Sequence, residues 1–230
     1  MKLHDAVVLI TGANRGIGRA FAEAAVARGA RRVYAGARDP SSISIAGAEP
    51  IKLDVTSAKD VSDAAAACQD VTLVVNNAGI ARPGGLLGGG ATESTREHLE
   101  TNLFGVLSMM LSFSPILAQN GGGAFLNVLS VASWINTGNL TAYGISKSAA
   151  WSLTNGLRNE LRKQNTQVLG LHVGWVDTDM TKAFDVAKLS PRSVVDSAFD
   201  ALEAGASEVL AGERAQQIKR DLTADPPVYL

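Results

Sequence analysis

Short apolar segments alternate with longer stretches rich in alanine, leucine and charged residues along the whole chain. The apolar segments read AVVLIT, RRVYAG, PIKLDV, VTLVVNN, AFLNVLS, QVLGLHV and SEVLAG. Most are continuously apolar, which is typical of strands buried on both faces of a parallel sheet. The stretches 17–29, 58–68, 96–119 and 144–164 predict helices. This alternation predicts an α/β fold with a doubly wound parallel sheet of about seven strands and helices on both faces.

The chain shows no internal repeat and no linker that would divide it. Residues 1–230 are therefore expected to form a single domain, as α/β chains of this length commonly do. Pro115 lacks a backbone donor, so we expect it to bend or end the helix that begins near Arg96.

Composition excludes several classes of protein. The net charge of −1 gives no electrostatic footprint for nucleic acid. Cys68 is the only cysteine, and the three histidines lack the spacing of metal ligands, so neither a disulfide nor a metal site is expected. No signal peptide is recognisable, and no stretch approaches the roughly 20 apolar residues of a membrane span. These observations predict a cytoplasmic protein that binds neither nucleic acid nor membrane.

Three glycines mark the junction of the first strand and the first helix. Gly12, Gly16 and Gly18 stand in LITGANRGIGRAF. Glycine there permits a tight turn and a close approach of the backbone to a pyrophosphate, which the helix N-terminus stabilises. An ordinary strand–helix turn is the alternative, but the position after strand one favours nucleotide binding.

A tyrosine precedes a lysine by one helical turn in TAYGISKSAA. Tyr143 and Lys147 would share one helix face, which could place an ammonium beside a phenol. A nearby positive charge lowers the pKa of a phenol and would suit a proton donor at neutral pH. Taken alone, the pair also fits an ordinary surface helix.

Five motifs in register resolve that ambiguity. They are TGANRGIG (11–18), NNAG (76–79), Asn102 in ETNLFGVL, Ser130 in NVLS and YGISK (143–147). Together they resemble the short-chain dehydrogenase/reductase family in order and interval, from about Ala6 to Gly212. The resemblance implies a Rossmann-like fold that binds a nicotinamide dinucleotide.

The resemblance implies four catalytic residues. Tyr143 would be the general acid in carbonyl reduction and the base in alcohol oxidation. Lys147 would lower the pKa of Tyr143 and hydrogen-bond the nicotinamide ribose. Ser130 would hold the substrate oxygen, and Asn102 would anchor a water that relays protons toward Lys147.

The same match implies a set of cofactor-binding residues. These are Gly12, Asn14, Arg15, Gly16, Ile17, Gly18, Arg38, Asp54, Val55, Asn77, Ala78, Gly79, Tyr143, Lys147, Val176 and Thr178. Ala37 occupies the position where NAD-preferring members carry an acid, and Arg38 and Arg15 are suited to a 2′-phosphate, so NADP(H) is the expected cofactor. Asp39 could instead reach the ribose or cap the next turn.

Two features concern the substrate side. Val173 stands where the family carries a proline before Gly174, which leaves that loop less constrained. Trp134 and Trp175 follow the serine strand and the sixth strand, so they are candidates for the pocket wall, with ordinary packing as the alternative. His172 is expected to be a core imidazole.

The sequence therefore predicts an NADPH-dependent oxidoreductase that reduces a ketone or aldehyde to the alcohol, reversibly. A 3-oxoacyl-carrier reductase and a non-catalytic NADP-binding regulatory protein are the alternatives. The family resemblance further implies a homodimer or homotetramer, paired through the helices that hold Asn102 and Tyr143.

Overall fold

The computed structural model describes residues 1–230 and contains one sheet of seven parallel strands. The strands are β1 Val7–Thr11, β2 Arg32–Ala37, β3 Glu49–Lys52, β4 Leu73–Asn76, β5 Gly123–Ser130, β6 Thr166–Val173 and β7 Glu208–Ala211. Their order across the sheet is β3-β2-β1-β4-β5-β6-β7. This is the doubly wound Rossmann-like sheet predicted from the apolar segments, and each predicted strand is present.

Seven α-helices connect and cover these strands. They are α1 Gly16–Ala27, α2 Ala58–Ala67, α3 Ala91–Leu99, α4 Gly105–Gln119, α5 Thr141–Leu161, α6 Pro191–Glu203 and α7 Gly212–Asp221. One apolar core lies under α1 and α6, and a second lies under α2, α4 and α5. The sheet is therefore buried on both faces, which explains its continuously apolar strands.

The third predicted helix is longer and less regular than expected. It runs from α3 through a π-helical turn, Glu100–Phe104, into α4, and it continues past Pro115 to Gln119. The helix therefore does not end at Pro115, contrary to one of the two outcomes expected from the sequence. Pro115 has no N–H to donate to the carbonyl oxygen of Leu111, four residues earlier. Both residues lie on the exposed side of the helix, where water can bind that oxygen instead.

By length and composition, the continuous helix Ala91–Gln119 is apolar enough to cross a membrane, contrary to the sequence expectation. Met109, Phe113 and Leu117 on this helix are fully buried in the core beneath the sheet. Packing within the fold thus accounts for part of its apolar character, since 44% of its apolar window is buried.

The carboxyl ends of the strands meet along one edge of the sheet. Strands β2 and β3 lie on one side of β1, and β4 to β7 lie on the other. The direction of strand order therefore reverses between β1 and β4, and a crevice opens there. Along the same edge, Ser130 of β5 pairs with Val173 of β6, which pairs with Ala211 of β7. This register places Ser130, Val173 and Ala211 along one line across the sheet.

Candidate active site

The glycine-rich turn between β1 and α1 has the geometry of a phosphate cradle. Gly12 and Gly16 have φ of +65° and +55°, a region that disfavours other residues. A Cβ on Gly18 would lie 2.1 Å from the carbonyl oxygen of Gly12, so only glycine allows this close packing. Helix α1 has neither a side-chain cap nor an acidic residue in its first turn. Its free N–H groups can therefore bind an anion.

Hydrogen bonds from the end of β4 hold this turn in place. The Asn77 side-chain amide donates to the carbonyl oxygens of Thr11, at 2.9 Å, and Gly12, at 3.2 Å. The Thr11 hydroxyl accepts from the backbone N–H groups of Asn77 and Ala78 at 3.0 and 2.9 Å. Sequence reasoning missed Thr11, although it stands directly before the first glycine. Asn76 is also tied through its side chain, which donates to Asn127 at 2.8 Å.

The end of β2 presents a free cation to the cavity. Ala37 is buried, whereas Arg38 is exposed and makes no ion pair. The Asp39 carboxylate accepts from the N–H and hydroxyl of Ser41 at 3.0 and 2.7 Å, so it caps the next turn. Arg15 does have a partner, since its guanidinium lies 3.5 Å from the carboxylate of Asp179. Arg38 is therefore the cation available for a 2′-phosphate.

Helix α5 and the end of β5 place Tyr143, Lys147 and Ser130 on one cavity wall. The Lys147 ammonium donates to the carbonyl oxygen of Val128 at 2.7 Å and lies 5.8 Å from the ring centroid of Tyr143. The Ser130 hydroxyl accepts from the N–H of Ala132 at 3.1 Å, and its own O–H faces the phenol of Tyr143, with which it forms a hydrogen bond.

Burial is the largest influence on the pKa values of Tyr143 and Lys147. Desolvation raises the pKa of Tyr143, and a hydrogen bond with Ser130 acts in the opposite direction. Desolvation also lowers the pKa of Lys147 to about 8. The expectation that Lys147 lowers the pKa of Tyr143 is therefore not met in the protein alone, because the ammonium is held at Val128 and is itself disfavoured by burial.

Asn102 lies behind this wall rather than on it. Its side chain is fully buried in the π-helical turn and forms three hydrogen bonds. The oxygen accepts from the Ile80 N–H at 2.8 Å, while the amide donates to the Ile80 carbonyl and the Ser146 hydroxyl, both at 2.9 Å. Both amide protons are used, so the side chain connects the loop after β4 to helix α5.

A cavity of about 860 Å³ joins these groups. Apart from Asn102 and Trp134, every site residue named from the sequence lines it. Trp175 forms part of the wall and packs on Phe184 with a centroid distance of 4.7 Å. Trp134 does not line the cavity but stacks on the buried ring of His172, with 4.0 Å between centroids, so the packing alternative holds for this residue.

Another residue that sequence reasoning left out is His98. Its ring accepts from the Arg82 N–H at 3.1 Å, contacts the Ser94 carbonyl oxygen at 2.6 Å and lies 6.4 Å from the Tyr143 ring, between centroids. These contacts fix the loop that follows NNAG against helix α3. An isolated histidine in a polar helix gives no sequence signal for such a role.

Comparison with known proteins agrees with this geometry. The sequence model of the short chain dehydrogenase family matches residues 6–188. A short chain dehydrogenase from Burkholderia cenocepacia, solved in complex with NADP, is 38% identical, with 98% of this chain and 96% of that chain covered and a TM-score of 0.94. The chain therefore belongs to the short-chain dehydrogenase family and is an oxidoreductase.

Two further proteins are more distant. An uncharacterized oxidoreductase of Staphylococcus saprophyticus is 28% identical over 220 residues, which cover 88% of this chain and 93% of the relative. A short-chain dehydrogenase/reductase from Burkholderia phymatum, solved with NAD, has a TM-score of 0.85 at 24% identity, covering 98% of this chain and 96% of that one. The latter supports the fold alone.

Proposed function

We propose that this protein is an NADPH-dependent oxidoreductase that reduces a ketone or aldehyde to the alcohol, and that the reaction is reversible. The observation that carries the proposal is the placement of Ser130, Tyr143 and Lys147 on one wall of a cavity that also contains the glycine-rich turn. A regulatory protein without catalysis would have no need to keep this trio together.

The residues present fit the cofactor. The uncapped N-terminus of α1 and the cradle of Gly12 and Gly16 would hold the pyrophosphate. Arg38 would pair with the 2′-phosphate, since a guanidinium matches a phosphate by its two-pronged geometry. Val176 and Thr178 would meet the carboxamide, and Lys147 would bond the nicotinamide ribose. When bound, NADPH would supply the hydride for reduction, and NADP⁺ would accept it in the reverse direction.

The catalytic side chains handle the oxygen of the substrate. Ser130 would turn its O–H from Tyr143 to the carbonyl oxygen of the substrate, where negative charge develops during reduction. Tyr143 gives its phenolic proton to that oxygen, so the product is a neutral alcohol. Lys147 would hydrogen-bond the nicotinamide ribose and so hold the cofactor beside Tyr143. Asn102 is a positioning residue that fixes α5 relative to the loop after β4.

The test is the oxidation of NADPH, followed by its absorbance, during incubation with a panel of ketones and aldehydes. We expect Tyr143→Phe to lower kcat by roughly 10²–10⁴-fold, because the ring still packs but no proton is transferred. NADPH affinity should stay close to wild type. Tyr229→Phe, an exposed tyrosine outside the cavity, is the matched control and should keep full activity.

Two results would overturn the proposal. One is NADPH binding without turnover of any carbonyl compound, which would favour the regulatory alternative. The other is a Tyr143→Phe variant that retains most of the activity.

A further inference from the structure

Basic side chains are unequally paired along the cavity wall. Five of them line it: Arg15, Arg38, Arg82, Lys147 and Arg214. Arg15 pairs with Asp179, Arg82 pairs with Glu97, and Lys147 is bound to a backbone carbonyl. The side chains of Arg38 and Arg214 make no ion pair with a carboxylate and no hydrogen bond within the chain. Two arginines thus remain available to an anion in the cavity.

These two arginines stand far apart. Arg38 follows β2 and Arg214 lies in the first turn of α7, directly after β7. Five strand spacings separate β2 from β7 in the sheet, a distance of about 24 Å. A 2′-phosphate held by Arg38 therefore cannot also engage Arg214. The pyrophosphate site at β1 is four spacings from β7, about 19 Å, and is likewise distant.

Arg214 is much nearer to the reacting groups. Ser130 and Ala211 lie on strands β5 and β7, two spacings apart in register, or about 10 Å between their Cα atoms. The arginine side chain extends beside Gly174, where an added Cβ would lie 3.6 Å from the Cδ of Arg214. Gly174 follows β6, which lies between β5 and β7. Arg214 thus reaches the cavity on the substrate side of Ser130.

Arg214 is exposed, and apolar side chains line part of the same cavity. They are Ile135, Leu140, Trp175 and Phe184, of which Trp175 directly follows the Gly174 beside Arg214. A substrate that places an apolar chain against this wall and an anion at Arg214 would complement both. We propose that Arg214 is a specificity-determining residue that binds an oxyanion of the substrate, so that the carbonyl compound reduced here carries a carboxylate or a phosphate. This inference rests on the proposed function, since it names the substrate class of the same site.

The kinetic test compares charged and neutral forms of one carbonyl compound. The substrates are oxo-carboxylates of graded chain length, their methyl esters and the matching oxo-alkyl phosphates. In wild type we expect the charged forms to have the higher kcat/KM, and the better of the two distinguishes carboxylate from phosphate. Arg214→Met should raise KM for the charged form roughly ten- to hundredfold, which is the value of a hydrogen bond to a charged group. It should leave the ester unchanged, and Arg214→Lys should restore part of the loss.

Arg220→Met is the matched control, since Arg220 is exposed on the same helix but lies outside the cavity. This variant should leave KM unchanged for both the charged substrate and its ester. Equal use of acid and ester by wild type would overturn the inference. An equal effect of Arg214→Met and Arg220→Met on the charged substrate would overturn it too.

A binding measurement separates this inference from the proposed function. Saturated carboxylates and alkyl phosphates, which cannot be reduced, are titrated into the complex with NADPH while its fluorescence is followed. Binding that Arg214→Met abolishes, without turnover of any ketone, would retain the anion site and reject the reductase. Reduction of neutral ketones without Arg214-dependent anion binding would retain the reductase and reject the anion site.

Discussion

At the scale of single residues, the end of β2 decides which cofactor is preferred. The carboxylate of Asp39, the acid beside Arg38, is held by Ser41, whereas the Arg38 side chain makes no ion pair. We expect wild type to prefer NADPH and the double variant Ala37→Asp, Arg38→Leu to move the preference toward NADH. The new carboxylate would bind a 2′-hydroxyl and repel a 2′-phosphate.

Steady-state kinetics with both cofactors would check this preference. Arg31→Leu is a suitable control, because Arg31 is an exposed arginine at the opposite end of β2, outside the cavity. A higher kcat/KM for NADH in the unmutated protein would contradict the assignment of Arg38.

Lys147 predicts a measurable pH dependence of stability in the cofactor-free protein. Burial lowers its pKa to about 8 in the folded state, below the value of about 10.4 for an exposed lysine. Between these two values the unfolded chain binds more protons, so the free energy of unfolding rises with pH. From pH 7.5 to 9 the rise from this group is on the order of 1 kcal/mol.

Urea unfolding of wild type and Lys147→Met at these pH values would isolate the contribution. The variant should lack this rise, while Lys163→Met, at an exposed lysine, should keep it. An identical pH dependence in wild type and Lys147→Met would show that the ammonium is not desolvated.

The sequence predicted which residues form the reacting group, but it did not predict the surroundings of these side chains. Spacing and resemblance located Ser130, Tyr143 and Lys147, and the structure places all three on the cavity wall. The orientation of Trp134 was not predictable, because it depends on His172 from a different strand. The direction of the Tyr143 pKa was also missed, since burial is a property of the folded chain.

At the scale of elements, the turn between β1 and α1 depends on the absence of a side chain at Gly18. A Cβ there would lie 2.1 Å from the Gly12 oxygen and 2.4 Å from the Asn77 amide nitrogen. We expect Gly18→Ala to displace the turn, weaken NADPH binding at least tenfold and lower the thermal midpoint, because backbone atoms must move.

Gly156→Ala is the matched control on another helix. Gly156 lies in α5 with no atom within 4 Å of an added Cβ, so alanine should raise stability by about 0.5–1 kcal/mol. Fluorescence titration would measure the NADPH affinity of both variants. Thermal denaturation would show whether Gly18→Ala lowers stability while Gly156→Ala raises it. Unchanged cofactor affinity in Gly18→Ala would refute the role of the turn.

The hydrophobic pattern predicted the strands and most helices. The strands are buried on both faces of the sheet, so their sequences are continuously apolar. The π-helical turn around Asn102 did not, since its one-residue insertion is stabilised by contacts with Ile80 and Ser146. Continuation of α4 through Pro115 was also missed. That outcome depends on which side of the helix meets solvent, and this is set by tertiary packing.

At the scale of the whole molecule, the helices that carry the site also carry exposed apolar side chains. Phe104 and Leu111 are 48% and 60% exposed and stand two helical turns apart on the helix through α4. Ile145 on α5 is 37% exposed. The two helices pack side by side over the same core. Exposed apolar side chains on neighbouring helices are typical of a contact surface between copies of a chain.

We therefore expect a homodimer or homotetramer in which α4 and α5 of two copies pack together. Leu111→Glu places a charge in that contact and should yield a monomer, because burial of an unpaired carboxylate is costly. Leu87→Glu is the control, since Leu87 is fully exposed in the glycine-rich loop before α3 and outside these helices. Sedimentation velocity at micromolar concentration would measure both variants beside wild type. A monomeric wild type would refute the assembly, and a Leu111→Glu variant that stays associated would place the contact elsewhere on the surface.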